Sequence, residues 1–177
     1  MKLLILDRDG VINHNSDQYI KNPDEWRPLP GSLEAIAQLT QSGWRIAVAT
    51  NQSGIARGLF TMETLNAMHA KMHKAVMQAG GRIEAVFYCP DSPDSNSPSR
   101  KPNPGMLLTI SERFNTPLHG IPMIGDSLRD LQAAHAVGAL PFLVLSGNGR
   151  KTRKKGGMPA GTQIFPDLAA VTLELLR

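Results

Sequence analysis

The run Leu3-Leu4-Ile5-Leu6-Asp7-Arg8-Asp9-Gly10 decides the fold. Four consecutive apolar residues stopped by charge and glycine predict a short strand buried on both faces, as in the middle of a parallel sheet. Open α/β sheets place ligands at the carboxyl ends of such strands, and Asp7 and Asp9 fall there. Residues two apart on an extended chain point the same way. One carboxylate can then attack or bind metal while the other handles protons at the same atom. Taken alone, Asp-x-Asp is also an ordinary polar end to a strand; the residues downstream decide between the two.

Outward from that strand, short apolar runs alternate with helical patterns. A polar stretch from Val11 to Pro30 is too long for a simple turn. Ser32 then caps a helix carrying Leu33, Ile36, Ala37 and Leu39, ended by Gly43. Arg45 to Ala49 is the second strand, with Thr50-Asn51-Gln52-Ser53-Gly54 at its carboxyl end. Thr61 caps a helix in which Leu65, Met68, Met72, Ala75 and Val76 recur at helical spacing, the methionines as core filler. Ala85 to Tyr88 is a third strand, followed by a proline- and serine-rich loop from Cys89 to Pro104. A helix from about Gly105 to Phe114 leads to Pro122-Met123-Ile124, closed by Gly125-Asp126-Ser127. A helix with Leu128, Leu131, Ala134 and Val137, a strand from Leu140 to Leu145, a glycine-rich basic loop, a short strand near Ile164 and a helix from Asp167 complete the chain. The alternation predicts an α/β fold: a three-layer, Rossmann-like parallel sheet with helices on both faces.

The 177 residues, 41% hydrophobic and 19% charged, fit one soluble domain over 1–177 with a core that needs no staples. No apolar run approaches the ~20 residues of a membrane helix, and the start lacks a signal-peptide pattern. The single Cys89 rules out an intrachain disulfide and suits a reducing cytoplasm. The net charge of +4 owes much to Arg150-Lys151-Thr152-Arg153-Lys154-Lys155. Without aromatic interleaving or a nucleic-acid motif, that run reads as a solvated loop, with weak steering of phosphates second. The expectation is a protein that binds neither nucleic acid nor membrane and acts as a monomer.

Four strand ends carry polar groups: Asp7 and Asp9; Thr50, Asn51 and Ser53; Arg100 and Lys101; Asp126 with Asp130. Carboxylates from two strands, without histidine or cysteine companions, make a hard oxygen site suited to Mg²⁺. Arg100 and Lys101 offer fixed positive charge for phosphate oxygens, and Thr50 a hydroxyl donor. These are the parts of phosphoryl transfer. Singly, each has a plainer reading: Arg100 and Lys101 as surface charges before a proline turn, Asp126 as a helix cap, Asp130 as an exposed helical acid. His69 and His73, four apart on one helix, lack a third ligand and read as a helix face.

Asp7-Arg8-Asp9-Gly10, Thr50-Asn51-Gln52-Ser53-Gly54-Ile55-Ala56-Arg57-Gly58, Arg100-Lys101-Pro102-Asn103-Pro104-Gly105-Met106 and Gly125-Asp126-Ser127-Leu128-Arg129-Asp130 together resemble the haloacid dehalogenase superfamily. Within it they are similar to the branch of heptose bisphosphate and histidinol-phosphate phosphatases, nearest to the bacterial heptose 1,7-bisphosphate 7-phosphatases that feed lipopolysaccharide core. The resemblance runs from Lys2 to about Gly149 and more loosely to Leu176. It implies Asp7 as nucleophile, forming an aspartyl-phosphate, and Asp9 as general acid and base. It implies Mg²⁺ held by Asp7, Asp126 and the carbonyl of Asp9, with Thr50 and Lys101 on the transferring phosphoryl group. Asn15, Tyr19, Asn51, Gln52, Ser53 and Arg100 would contact a small phosphorylated sugar, Arg100 its second phosphate. Asp130 would orient Lys101 or a metal-bound water.

The chain departs from that branch in one loop. Many relatives hold a structural zinc there with Cys-x-His and a later Cys-x-Cys. Here Cys89 keeps the first position, Asp91 replaces the histidine, and Ser97 and Ser99 replace the cysteine pair. Serine is a poor zinc ligand beside thiolate, so no zinc is expected, and the loop must be held by prolines, Asx and Ser turns and packing. The connections after the first and third strands leave no room for a large cap domain. The expected activity is Mg²⁺-dependent hydrolysis of the 7-phosphate of a heptose 1,7-bisphosphate. The alternatives are a phosphatase for histidinol phosphate or another small phosphomonoester, and a non-catalytic phospholigand-binding protein on a phosphatase fold.

Overall fold

A computed structural model describes residues 1–177. Six parallel strands form one sheet in the order β3-β2-β1-β4-β5-β6: β1 is Leu3–Leu6, β2 Arg45–Asn51, β3 Ala85–Cys89, β4 Pro122–Gly125, β5 Leu140–Val144 and β6 Gln163–Phe165. The strands are joined by helices α1 (Ser32–Gln41), α2 (Met62–Gln78), α3 (Gly105–Phe114), α4 (Leu128–Ala136) and α5 (Gly149–Lys155), and α6 (Leu168–Leu175) closes the chain. Strand order reverses between β1 and β4, the point at which such sheets open a crevice for ligand.

β1 is the central strand and every residue in it is buried, as its unbroken apolar run requires. Its side chains alternate between two cores. Leu4 and Leu6 join residues of α1, α2 and α6 on one face; Leu3 and Ile5 join α3 and α4 on the other. This double burial sets the height of Asp7, the first residue beyond the strand.

Three local expectations change. Ser32 is not the cap of α1. Gly31 takes that position at φ +81°, and the Ser32 hydroxyl instead donates to the carbonyl of Val11 at 2.7 Å, pinning the polar segment after β1. The basic run is not an open loop but the short helix α5, and its Thr152 hydroxyl donates to the carbonyl of Asp126 at 2.7 Å. β2 runs two residues further than expected, through Thr50 and Asn51, which pair with Tyr88 and Cys89. The long connections after β1 and β3 hold only single 3-10 turns, Pro23–Glu25 and Pro93–Ser95, so no cap domain covers the crevice.

Candidate active site

A cleft of about 330 Å³ lies at the carboxyl ends of β1, β2 and β4 and gathers nearly all the residues expected at a site. Asp7, Asp9, Asn15, Tyr19, Thr50, Asn51, Ser53, Arg100, Lys101, Asp126 and Asp130 all line it. Gln52 does not. It lies behind the wall, where its amide nitrogen donates to Thr50 Oγ1 at 2.9 Å and to Asp9 Oδ2 at 3.2 Å. With its oxygen occupied as an acceptor, the Thr50 hydroxyl is left to donate into the cleft.

The floor is a buried charge cluster. Lys101, which as a lone feature would pass for a surface charge, is 2% exposed. Its Nζ donates to Asp130 Oδ1 at 2.6 Å, Asp7 Oδ1 at 3.0 Å and the carbonyl of Ala49 at 2.7 Å, using all three of its protons. Asp130 is thus no exposed helical acid. Its other oxygen accepts from the Ser127 backbone and hydroxyl, closing the capping box of α4. Ser127 is therefore the cap, and Asp126 is free of that duty. Asp126 Oδ2 accepts from the backbone N–H of Asn148 at 2.8 Å and Oδ1 from no group of the chain. Asp7 Oδ1 also accepts the Arg8 backbone N–H at 2.8 Å, whereas Oδ2 receives no donor from the chain.

Electrostatics separates these carboxylates. Burial, then repulsion from Asp130, raises the Asp7 pKa well above the usual carboxylate range, Lys101 only partly offsetting it. Asp126 is pushed up to about 7, again by burial first and Asp130 second. Burial acts the same way on Asp130, but the ion pair and hydrogen bonds with Lys101 outweigh it and hold that group low. Ligand atoms of Asp7, Asp126 and Asp130 lie within 4.8 Å of one another. One lysine against three buried carboxylates leaves an excess of negative charge, and hard oxygens in excess fit a divalent cation such as Mg²⁺. Two glycines make the room: both Gly10 (φ +84°) and Gly147 (φ +57°) have a backbone that a side chain strains, and a Cβ on either would strike the Asp126 carboxylate.

The loop from Cys89 is strapped to β2 by Asn51. Its side-chain oxygen accepts the Lys101 N–H and its nitrogen donates to the Lys101 carbonyl, both at 3.0 Å. In that loop the Cys89 sulfur lies 3.5 Å from Asp91 Oδ2, to which its thiol can donate, and 3.8 Å from the Ser97 hydroxyl, which accepts the Ser99 N–H. Arg100 reaches back to the Asp91 carbonyl at 3.5 Å, and burial together with Arg129 lowers its pKa.

Sequence reasoning passed over several lining residues. Arg57 and Arg129 join Arg100 at the cleft, and Ser127 and Asn148 complete its polar wall. Arg57 stands in the quoted run after β2, and its guanidinium lies 5.7 Å from the ring of Tyr19, which holds a left-handed φ of +68°. Arg8 and His69 lie buried behind Asp9, and the sequence gives neither a role at the site nor any sign that they meet.

A parallel sheet with a buried carboxylate and lysine at its switch point, and a cluster of carboxylate oxygens that could hold a metal, has the layout of a hydrolase of the haloacid dehalogenase type. Family models agree: one described as polynucleotide kinase 3 phosphatase matches residues 2–127, and one described as HAD-hydrolase-like matches residues 98–171. The chain is 58% identical over 177 residues to the D-glycero-beta-D-manno-heptose-1,7-bisphosphate 7-phosphatase of Bordetella bronchiseptica, covering 100% of this chain and 99% of that one. It is 55% identical to the enzyme of the same name from Pseudomonas putida, over 99% of this chain and 100% of the relative. The crystal structure of D,D-heptose 1,7-bisphosphate phosphatase from B. bronchiseptica, complexed with magnesium and phosphate, superposes with a TM-score of 0.98 over 99% of this chain and 98% of that one. The chain belongs to this family of heptose bisphosphate phosphatases and is a phosphoric monoester hydrolase.

Proposed function

We propose that the chain removes the 7-phosphate of D-glycero-beta-D-manno-heptose 1,7-bisphosphate with Mg²⁺, in the supply of activated heptose for lipopolysaccharide core. The observation that carries this reading is Asp7: a buried carboxylate with one oxygen held by Lys101 Nζ and the Arg8 backbone N–H and the other unengaged at the floor of a polar cleft. Asp7 Oδ2 attacks phosphorus, the bond from phosphorus to the sugar O7 breaks, and an aspartyl-phosphate remains. Asp9 gives its proton to the departing O7, then takes one from the water that hydrolyses the acyl phosphate. Lys101 and the Thr50 hydroxyl bind the oxygens of the transferring group, and the Ser53 N–H, which has no acceptor in the chain, adds a third donor.

Asp7, Asp126 and the carbonyl of Asp9 would hold Mg²⁺, which when bound supplies charge to offset phosphate against the carboxylates. Asn51 acts by strapping Lys101 in place and Gln52 by aiming Asp9 and Thr50. Asn15 and Tyr19 face the sugar, and Arg100 with Arg57 and Arg129 meets the second phosphate. We read residues 1–177 as one phosphatase domain, monomeric and cytoplasmic, with a phosphorylated sugar as its only required partner; no helix is long and apolar enough to cross a membrane.

The test is phosphate release with Mg²⁺ from both anomers of heptose 1,7-bisphosphate, beside histidinol phosphate and fructose 1,6-bisphosphate. A marked preference for the beta heptose anomer is expected; even, weak turnover of all four would remove the heptose assignment. Asp7→Asn should lower kcat by at least about 10⁴-fold, as expected on losing a covalent nucleophile. Undiminished turnover in that variant would overturn the aspartyl-phosphate route.

A further inference from the structure

Arg8 is wholly buried, yet none of the phosphate-binding steps uses it. Its charge meets a single carboxylate: Nε donates to Asp9 Oδ1 at 2.8 Å, and Nη2 lies 2.7 Å from the same oxygen. On its other edge Nη1 lies 3.2 Å from Nε2 of His69, a buried residue of α2. A guanidinium carries donors only, so the His69 nitrogen accepts and the imidazole is neutral, with its proton on Nδ1. Burial first, and the Arg8 charge second, bring the His69 pKa down to about 3, which keeps the ring an acceptor across the neutral range.

The consequence falls on Asp9. Oδ1 takes the guanidinium and also Asn13 Nδ2 at 2.9 Å, so its lone pairs are filled. Oδ2 accepts only Gln52, at 3.2 Å. We propose that His69 and Arg8 are positioning residues that lock the Asp9 carboxylate against α2, so that Oδ2 alone exchanges protons with the substrate. A neutral residue without an acceptor at position 69 would leave an edge of a buried guanidinium unpaired, and Arg8 would shift to recover a partner. The angle at which Asp9 Oδ2 meets the leaving oxygen would shift with it. Geometry of this kind is costly to lose in a proton transfer.

The inference rests on the acid role given to Asp9 above, and the test separates the two. It compares kcat/KM, which reports steps through phosphoryl transfer to Asp7, on heptose 1,7-bisphosphate and on p-nitrophenyl phosphate. The alkoxide leaving from the sugar needs a proton; the nitrophenolate does not. The ratio of the two on one preparation cancels any difference in the amount of folded protein. Asp9→Asn should lower that ratio by about 10²- to 10⁴-fold, the span of general acid catalysis. If it does not, the acid role itself fails. Given that drop, His69→Leu, which keeps buried volume but offers no acceptor, should lower the ratio roughly tenfold by misplacing the acid. His69→Gln, whose amide oxygen can accept from Arg8, should restore most of it. A fall of both substrates in step in His69→Leu would mark a merely structural residue and overturn the proposal, as would a glutamine variant no better than leucine.

Discussion

Lys101 and Arg8 are the two buried cations of this molecule, and their surroundings are opposite. Lys101 lies among Asp7, Asp126 and Asp130, more negative charge than it can balance. Arg8 faces Asp9 alone and gives its remaining edge to a neutral imidazole. The floor therefore carries excess negative charge that suits a bound divalent cation, whereas the shelf that carries Asp9 is neutralised by the chain itself. Removing each cation tests this. Lys101→Met removes the ion pairs of both Asp7 and Asp130 and should cost about 3–5 kcal/mol in unfolding by urea with chelator present. Arg8→Met strands only Asp9, whose side chain is 28% exposed and can take up water, so its cost should be clearly smaller. Equal losses would erase the distinction.

The second way to sharpen it is the metal. Mg²⁺ at a hundred times its dissociation constant should raise unfolding free energy by about 2.7 kcal/mol, since binding is confined to the folded state. Asp126→Asn should abolish most of that gain. Asp9→Asn should keep it, because only the backbone carbonyl of Asp9 is assigned to the ion. A gain that survives Asp126→Asn would move the ion away from the floor.

How much of this was legible follows the range of the interactions. The apolar run Leu3 to Leu6 and the polar groups at successive strand ends pointed to the parallel sheet and to Asp7, Asp9, Lys101 and Asp126, because both are patterns local in sequence. The capping role of Asp130 lies three residues from Ser127 and is readable in principle; its pairing with Lys101 spans 29 residues and is not. Ser32 misled because a Pro-Gly-Ser start looks like an N-cap, whereas a glycine in the left-handed region ends the loop and frees the serine for Val11. The basic run formed a helix because its first turn is anchored by Thr152 and Asn148 on Asp126, long-range contacts that charge patterning does not encode. His69 fits the apolar stripe of α2 as any core residue would. Its partner lies 61 residues away, so nothing local marks it.

The smallest effect belongs to the shelf and to pH. His69 titrates near 3 in the fold against 6.5 in a free chain. The fold favours the neutral ring, so this residue's contribution is fully present above about pH 6.5 and is lost as pH falls toward 3. Between those limits the unfolded chain binds up to one more proton than the native state, and stability falls by about 1.4 kcal/mol per pH unit. From pH 7 to pH 5 the protein should therefore lose about 2 kcal/mol more than His69→Leu does, measured by urea unfolding with saturating Mg²⁺ so that the floor carboxylates contribute alike to both. Parallel curves would mean that His69 is charged or hydrated in the folded protein. Arg8 would then face a second cation rather than an acceptor, and the claim that the shelf is neutral by construction would fall.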